Sequence, residues 1–417
     1  MRKCTLTIMI AATLNLPTLA LADTDSQQRE IDALKIQNKL ILERLDATAE
    51  MLESSSTGGA TTDADHNHSV AAGDSLRNRT FGGHGSKGST TIGGYGEMHY
   101  NNLDNKKIGG SDKKEIDFHR FILFMGHEFS DKIRFWSELE VEHAVIEDTP
   151  NGSNGGEVAV EQAFLEFDLN ADMAARAGII LIPVGLLNET HEPPTFYGVE
   201  RNNVEKYIIP TTWREGGVSL TGRFANSFSY DLAVHSGLQI AGNNYAVRGG
   251  RQGVSNAPAN NLAATARVNW IGVPGLVIGA AIQQQTDISQ GTDTNAGAAS
   301  LVSTHVVWQI SQFSLRGLYA SWNLSGNGPA AVGADKQTGW YVEPSWKFTP
   351  KFGVFARSSQ WDNRVNSGTD TQYNQFDVGF NYWPHEDVVL KFDYQNQSVP
   401  NGKNEFDGIN LGVGYQF

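Results

Sequence analysis

The sequence predicts an all-β fold, a transmembrane antiparallel β-barrel of about sixteen strands, preceded by a short N-terminal α-helical coiled coil. Three observations predict it. The chain closes on Ile409-Asn-Leu411-Gly-Val413-Gly-Tyr415-Gln-Phe417, a strand with one apolar face ending on an aromatic, which would be an aggregation-prone edge in water but suits a wall between lipid and lumen. From Thr90 onward hydropathy alternates with period two. The connections between the alternating segments take turns between tight and long.

At the front, Arg2 and Lys3 precede an apolar stretch ending in Ala20-Leu21-Ala22, so residues 1–22 read as a secretory signal and the mature chain begins at Asp23. Cys4, the single cysteine, leaves with the signal, which removes disulfide, thiol and Cys-based metal chemistry. No later apolar run reaches the ~18 residues of a membrane helix, and 44 glycines with 40% hydrophobic residues suit alternating strands. The formal charge of −14 becomes −16 without Arg2 and Lys3, a balance that argues against nucleic acid as a partner.

Residues 23–53 form the predicted periplasmic helix: Ile31, Leu34, Asn38, Ile41, Leu45, Thr48 and Leu52 fall at alternating spacings of three and four, the a and d positions of a coiled coil with a polar Asn38 at a. Three heptads are marginal alone and gain stability when copies are held close by an attached oligomer. Residues 54–88 are Ser, Thr, Gly, Asp, Asn and His with few apolar positions, a flexible linker. The barrel domain is 89–417. Its predicted strands are 89–100, 115–129, 132–145, 157–169, 172–182, 216–225, 227–237, 261–271, 275–286, 298–310, 312–324, 338–348, 352–362, 373–383, 387–397 and 407–417. With the N-terminus in the periplasm, every tight turn, such as Ser130-Asp131 or Pro350-Lys351, falls on the periplasmic side and every long loop outside, and an even strand number returns Phe417 to the periplasm.

Alternation assigns the faces. Val388, Leu390, Phe392 and Tyr394 oppose Lys391, Asp393 and Gln395, and Ile133, Phe135, Leu139 and Val141 oppose Arg134, Glu138, Glu140 and Glu142. A charge facing mid-bilayer costs ~2–4 kcal/mol, so the charged faces line the lumen. Arg120, Glu166, Asp168, Arg176, Arg223, Arg267, Arg316 and Arg357 join them as lumen-wall candidates. About sixteen strands leave an aqueous channel where eight would be filled by side chains. The longest loop, 183–215, is the third external one and is rich in Pro, aromatics and paired charges, unlike a floppy surface loop. It is expected to fold inward, with Glu189, His191, Glu192, Glu200, Arg201, Lys206, Arg214 and Glu215 at the pore constriction.

The pair Glu161-Gln-Ala-Phe-Leu-Glu-Phe-Asp168 and Arg176-Ala-Gly-Ile-Ile-Leu-Ile-Pro183-Val-Gly185, followed by Glu200-Arg201 and Arg214-Glu-Gly-Gly-Val218, resembles the phosphate-selective porin O/P type of outer-membrane porin. The resemblance spans 90–417 and is specific over 161–220. It implies a homotrimer of sixteen-stranded barrels, each with its own pore and an inward-folded third loop, and it is compatible with an N-terminal coiled coil. A phosphate channel is expected to carry a surplus of basic residues leading inward, whereas the mature chain has 30 Lys and Arg against 46 acidic residues. Phosphate specificity is therefore not carried over, and the charge count favours a weak cation preference.

Other sites carry less. Asp63-Ala-Asp65-His66-Asn67-His68 begins like a calcium loop, but His68 stands where such a loop needs Gly, so no metal and no cofactor is expected. Ser303 with His305, and Ser229 with His235, lack an orienting acid and a nucleophile elbow, which argues against an enzyme. The expected function is an outer-membrane porin passing small hydrophilic solutes or ions by passive diffusion, gated in size and charge by the third loop. An anion- or phosphate-selective channel, or a structural or adhesive barrel, are the alternatives. The expected partners are two further copies of the chain, outer-membrane lipid, the barrel-assembly machinery through Phe417, and the cell wall through the coiled coil.

Overall fold

The computed structural model describes residues 88–146, 155–240, 242 and 244–417. The signal, the coiled-coil helix, nearly all of the linker and the Asp63–His68 segment lie outside the described residues. Sixteen strands form one closed antiparallel barrel in sequence order, with β1 meeting β16. The first eight are Thr90–Asn105 (β1), Lys113–Ser130 (β2), Ile133–Glu142 (β3), Val158–Asn170 (β4), Met173–Leu181 (β5), Arg214–Phe224 (β6), Phe228–His235 (β7) and Ala263–Val273 (β8). The second eight are Leu276–Gln285 (β9), Ala299–Ile310 (β10), Phe313–Leu324 (β11), Lys336–Thr349 (β12), Phe352–Asp362 (β13), Tyr373–His385 (β14), Val388–Ser398 (β15) and Phe406–Gln416 (β16).

Each predicted strand is present, and the differences fall at the ends. The first strand runs on to Asn105, where its register with β16 continues as far as Asn105 opposite Phe406, so the first loop is 106–112 rather than 101–114. Arg214 and Glu215 belong to β6, paired with Leu181 and Ile180, so the third loop (L3) is 182–213 rather than 183–215. Strands extend for as long as a neighbour supplies hydrogen-bond partners, and local hydropathy does not report that limit. Every connection on one rim is a turn of two or three residues, and every connection on the other is a loop; the fourth (L4) is 236–262.

The pleat sorts side chains as alternation requires. Glu138 and Glu140 are 1% and 2% exposed while Leu139 between them is 41% exposed, which is the outward, lipid-compatible face. Phe129, Phe224, Trp308, Phe348 and Tyr382 lie outward near the short-turn rim, as an aromatic girdle does. Closure at the C-terminus is by backbone: Phe417 N–H donates to Gly94 O and Gly94 N–H to Phe417 O, both at 2.9 Å.

Besides register shifts next to the short turns, two β-bulges break the period within the wall. Between β1 and β2 the register slips at Glu97/His99, and between β3 and β4 at Glu138/Leu139, where Gln162 pairs with Glu138 and Val160 with Leu139. Glu161 is the extra residue, and it is 1% exposed on the inner side beside Gln162. A bulge re-aims one side chain without disturbing the rest of the wall.

Candidate functional site

L3 begins and ends in a neck closed by its own polar groups. Asn188 donates through Nδ2 to Ile182 O at 2.8 Å and Trp213 O at 2.9 Å, and its Oδ1 accepts from Trp213 N–H at 2.6 Å. The fully buried Glu205 carboxylate accepts from the backbone N–H of Leu186 and Leu187 at 2.5 and 2.7 Å and from the Tyr341 hydroxyl of β12 at 2.9 Å. One apolar cluster joins Ile182, Val204, Ile208, Ile209 and Trp213 of L3 to Leu238 and Val247 of L4 and to Leu301, Leu318, Trp322 and Tyr341 of the wall. Pro, aromatics and β-branched residues in L3 thus form a core inside the barrel, the physical reason this loop does not read as a solvated one.

The loop then crosses to the far wall. Arg316 of β11 donates to Thr195 O at 2.9 Å, Asn381 of β14 to Phe196 O at 3.0 Å, and Lys391 of β15 to Gly198 O at 2.8 Å while lying 3.4 Å from the centre of the Phe196 ring. Four inward glycines leave room for it: a Cβ on Gly414 would stand 2.3 Å from Pro193, one on Gly412 3.1 Å from Val199, one on Gly353 2.2 Å from Tyr197, and one on Gly339 2.9 Å from Val204 and Ile208.

The lumen-wall arginines are mostly neutralised on the wall. Arg120 meets Glu97 at 2.7 Å and Glu140 at 3.7 Å, and Arg357 meets Glu343 at 3.1 Å and Asp377 at 3.0 Å. Arg134 and Arg176 share Glu166 at 3.0 and 2.7 Å, Arg134 also pairs with Asp168, and Arg267 bridges Asp231 at 2.7 Å to Glu189 of L3. Arg223 stands near the short-turn end of β6 opposite Ser229, and Glu142 opposite Arg120 at the end of β3.

The eight expected constriction residues are not gathered at one ring. Glu189 reaches β8, His191 reaches β3 and β4, Glu200 reaches His99 of β1 at 3.1 Å, and Glu192 is buried. Glu215 is sequestered by Trp213 at 3.0 Å and Ser236 at 2.5 Å. Arg201, Lys206 and Arg214 do converge, and L4 adds Arg248 and Arg251. Arg248 donates to Lys206 O and Thr211 O, each at 2.9 Å, Arg251 to Thr212 O at 3.1 Å, and Arg201 to the Thr212 hydroxyl at 3.1 Å. Among the described residues no carboxylate lies within ion-pair distance of Arg201, Arg248 or Arg251. Burial and the neighbouring Arg251 lower the Arg248 guanidinium to about 10, and burial lowers the Lys206 ammonium against the opposing pull of Glu200.

Sequence reasoning missed Arg248 and Arg251, which lie in a loop that gives no periodic signal, and also Glu97, His99, Asp117, His119 and Glu161. The two bulges hide His119 and Glu161 from strict alternation, since Arg120 and His119 face inward side by side, as do Glu161 and Gln162, whereas Glu97 and His99 keep the regular inward period of β1. Among the described residues, three clusters of His and carboxylate groups lie close enough to share a cation: His99, His119 and Glu200; Asp117, His119 and His143; and Glu138, Glu161 and His191. The first two are already hydrogen-bonded internally, His99 to Glu200 at 3.1 Å and Asp117 to His119 and His143 at 3.1 and 2.9 Å. The hydrolase candidates do not assemble: His235 Nε2 lies 2.9 Å from the Thr265 hydroxyl, and Ser229 Oγ accepts from Asn269 at 3.4 Å.

Comparison with known proteins places this geometry. The family model for phosphate-selective porin O and P matches residues 91–417. An uncharacterised protein of Aquifex aeolicus is 33% identical over 352 residues, covering 76% of this chain and 78% of that protein. Among solved structures, outer-membrane expressed OmpT of Vibrio cholerae aligns with TM-score 0.55 at 10% identity, over 80% of this chain and 99% of its own. The anion-selective porin from Comamonas acidovorans aligns with TM-score 0.55 at 13% identity, over 79% of this chain and 100% of its own. At such identity these two likenesses concern the fold alone.

Proposed function

The chain belongs to the phosphate-selective porin O and P family and is an outer-membrane channel, and within that role we propose that it catalyses no reaction and passes small hydrophilic anions by passive diffusion, narrowed by L3. The observation that carries the reading is the group of basic side chains where L3 meets L4: Arg201, Arg248 and Arg251 bond to loop oxygens, with no described carboxylate to neutralise them. Glu97, Glu138, Glu140, Glu161, Glu343, Asp377 and Asp393 are buried in the wall or beneath L3. A permeating ion meets the groups it can touch, and around L3 and L4 these include Arg201, Lys206, Arg248 and Arg251, set against Glu142 and Glu200. The whole-chain charge count favours cations because it weighs wall carboxylates already paired with arginine equally with the guanidiniums that no carboxylate meets.

Assembly as a homotrimer, periplasmic placement of residues 23–53 with contact to the cell wall, and recognition of Phe417 by the barrel-assembly machinery belong to this proposal. The test is the reversal potential of the purified channel in a planar bilayer under a salt gradient. Anion preference is expected, and inhibition by phosphate would narrow the substrate class. Cation preference would overturn the reading.

A further inference from the structure

Under L3, three side chains from separate elements meet almost out of reach of water. Glu138 of β3, Glu161 of β4 and His191 of L3 are 1%, 1% and 3% exposed. His191 Nε2 stands 3.4 Å from Glu161 Oε2 and 3.7 Å from Glu138 Oε1. Those separations exceed the ~2.7–3.2 Å of an N–H···O hydrogen bond. Both ring nitrogens of His191, Oε1 of Glu138 and Oε2 of Glu161 are accordingly without hydrogen-bond partners. Buried polar atoms are satisfied as a rule, so three orphans aimed at one another, His191 Nε2 with Oε1 of Glu138 and Oε2 of Glu161, mark a missing partner.

We propose that Glu138, Glu161 and His191 bind a divalent cation of the zinc class, which fastens L3 to the barrel wall. Three features favour a metal over a proton-held cluster. The spacing is the first: ligands held at ~2.0–2.1 Å around a tetrahedral zinc lie roughly 3.4 Å apart, close to the separations observed. The second is the orientation of each carboxylate. Oε2 of Glu138 accepts from Gln162 at 2.5 Å and Oε1 of Glu161 faces Arg214 at 3.5 Å, so one oxygen of each is held by a donor while the other points at His191. Outer groups that fix ligand oxygens in this way are part of metal sites. The third is the bulge at Glu138/Leu139, which turns Glu161 inward where regular pleating would have placed either it or Gln162 toward lipid. One imidazole with carboxylates suits zinc, cobalt or manganese better than calcium or magnesium, which take oxygen ligands throughout. Glu140, beside Glu161 and Arg120, supplies a further carboxylate at the edge of the site.

The experiment uses the full-length protein, stripped with chelator and reloaded with Zn²⁺ or Co²⁺, its folding checked by heat-modifiable gel migration. Bound metal per barrel is measured together with the visible absorption of the Co²⁺ form. Wild type is compared with Glu138→Gln, Glu161→Gln and His191→Ala, and with a His119→Ala control that leaves this cluster intact but disables the other two. The expected result is loss of one equivalent of zinc, or at least a tenfold fall in affinity, and loss of the tetrahedral Co²⁺ bands in the first three only. Gln162→Leu, which keeps all three ligands, is expected to weaken binding about tenfold. Equal metal content in wild type and the three ligand variants, or loss only in His119→Ala, would overturn the proposal, as would binding of calcium or magnesium in preference to zinc.

Discussion

The backbone N–H of Val199, in the middle of L3, donates to Oδ2 of Asp393 on β15 at 2.6 Å, joining positions 194 residues apart in the chain. Asp393 is itself held by Asn410 Nδ2 at 2.8 Å, and two residues earlier on the same strand Lys391 holds Gly198 O. The loop is therefore strapped by its backbone to a part of the wall distant from its origin, in a way that depends on two side chains of one strand.

Asp393→Ala should free this strap. The substitution leaves the Val199 N–H without its acceptor, at a cost of ~1–3 kcal/mol to the packed position of L3. Single-channel recordings should show larger and noisier conductance steps with the barrel still folded. Unchanged steps would mean that this strap does not set the width of the path.

Gly414→Ala should act from the other side of the same contact. The added Cβ would lie 2.3 Å from the Cβ of Pro193, so the wall or the loop must move, at a cost of ~1–3 kcal/mol. Because β16 is anchored by its ladder to β15 and β1, we expect the loop to yield: protease should reach L3 sooner while the unfolding temperature of the barrel on gels changes little. A barrel that fails to close would show that β16 yields instead.

Arg248→Glu combined with Arg251→Glu should reverse the sign of charge met at the L3–L4 contact without touching a wall ion pair. The reversal potential is expected to move toward cation preference, and to move further at low than at high ionic strength, since exposed charges are screened over ~10 Å at 0.1 M salt. Arg357→Gln, in a pair whose members are buried, should perturb folding more than selectivity. The opposite ranking would place the selective region deeper in the barrel.

Glu200 offers a pH test. Burial works to raise its carboxyl, but His99 at 3.1 Å, with His119 and Lys206 behind it, holds it well below the usual carboxylate range. A carboxyl depressed on folding contributes stability that is complete above its unfolded value, ~4.3, and is lost as pH falls through the depressed folded value. The advantage of wild type over Glu200→Gln, in resistance of L3 to protease, should therefore hold from pH 6 to 5 and vanish only in stronger acid. An advantage already lost at pH 5 would show that the His99 contact is not made.

Much of the barrel is legible in the sequence because its rules are local. Period-two alternation fixes the strands and tells Leu139 from Glu138 and Glu140, loop lengths sort the two rims, and the terminal Ile409–Phe417 segment already carries the outward face it shows in the wall. The inward course of L3 follows from its composition, since its apolar residues have to be buried somewhere. What only the tertiary structure decided is which charges meet. Arg214 and Glu215 stand side by side in the chain, yet one reaches Glu161 on β4 and the other is closed off by Trp213 and Ser236. Glu161 faces inward only because β3 and β4 slip by one residue, and Arg248 reaches the L3 carbonyls only because two loops fold against each other. Alternation is a property of neighbours along one strand, whereas register slips and loop convergence are set by interactions between residues tens to hundreds of positions apart, so charge is written in the sequence and its pairing is not.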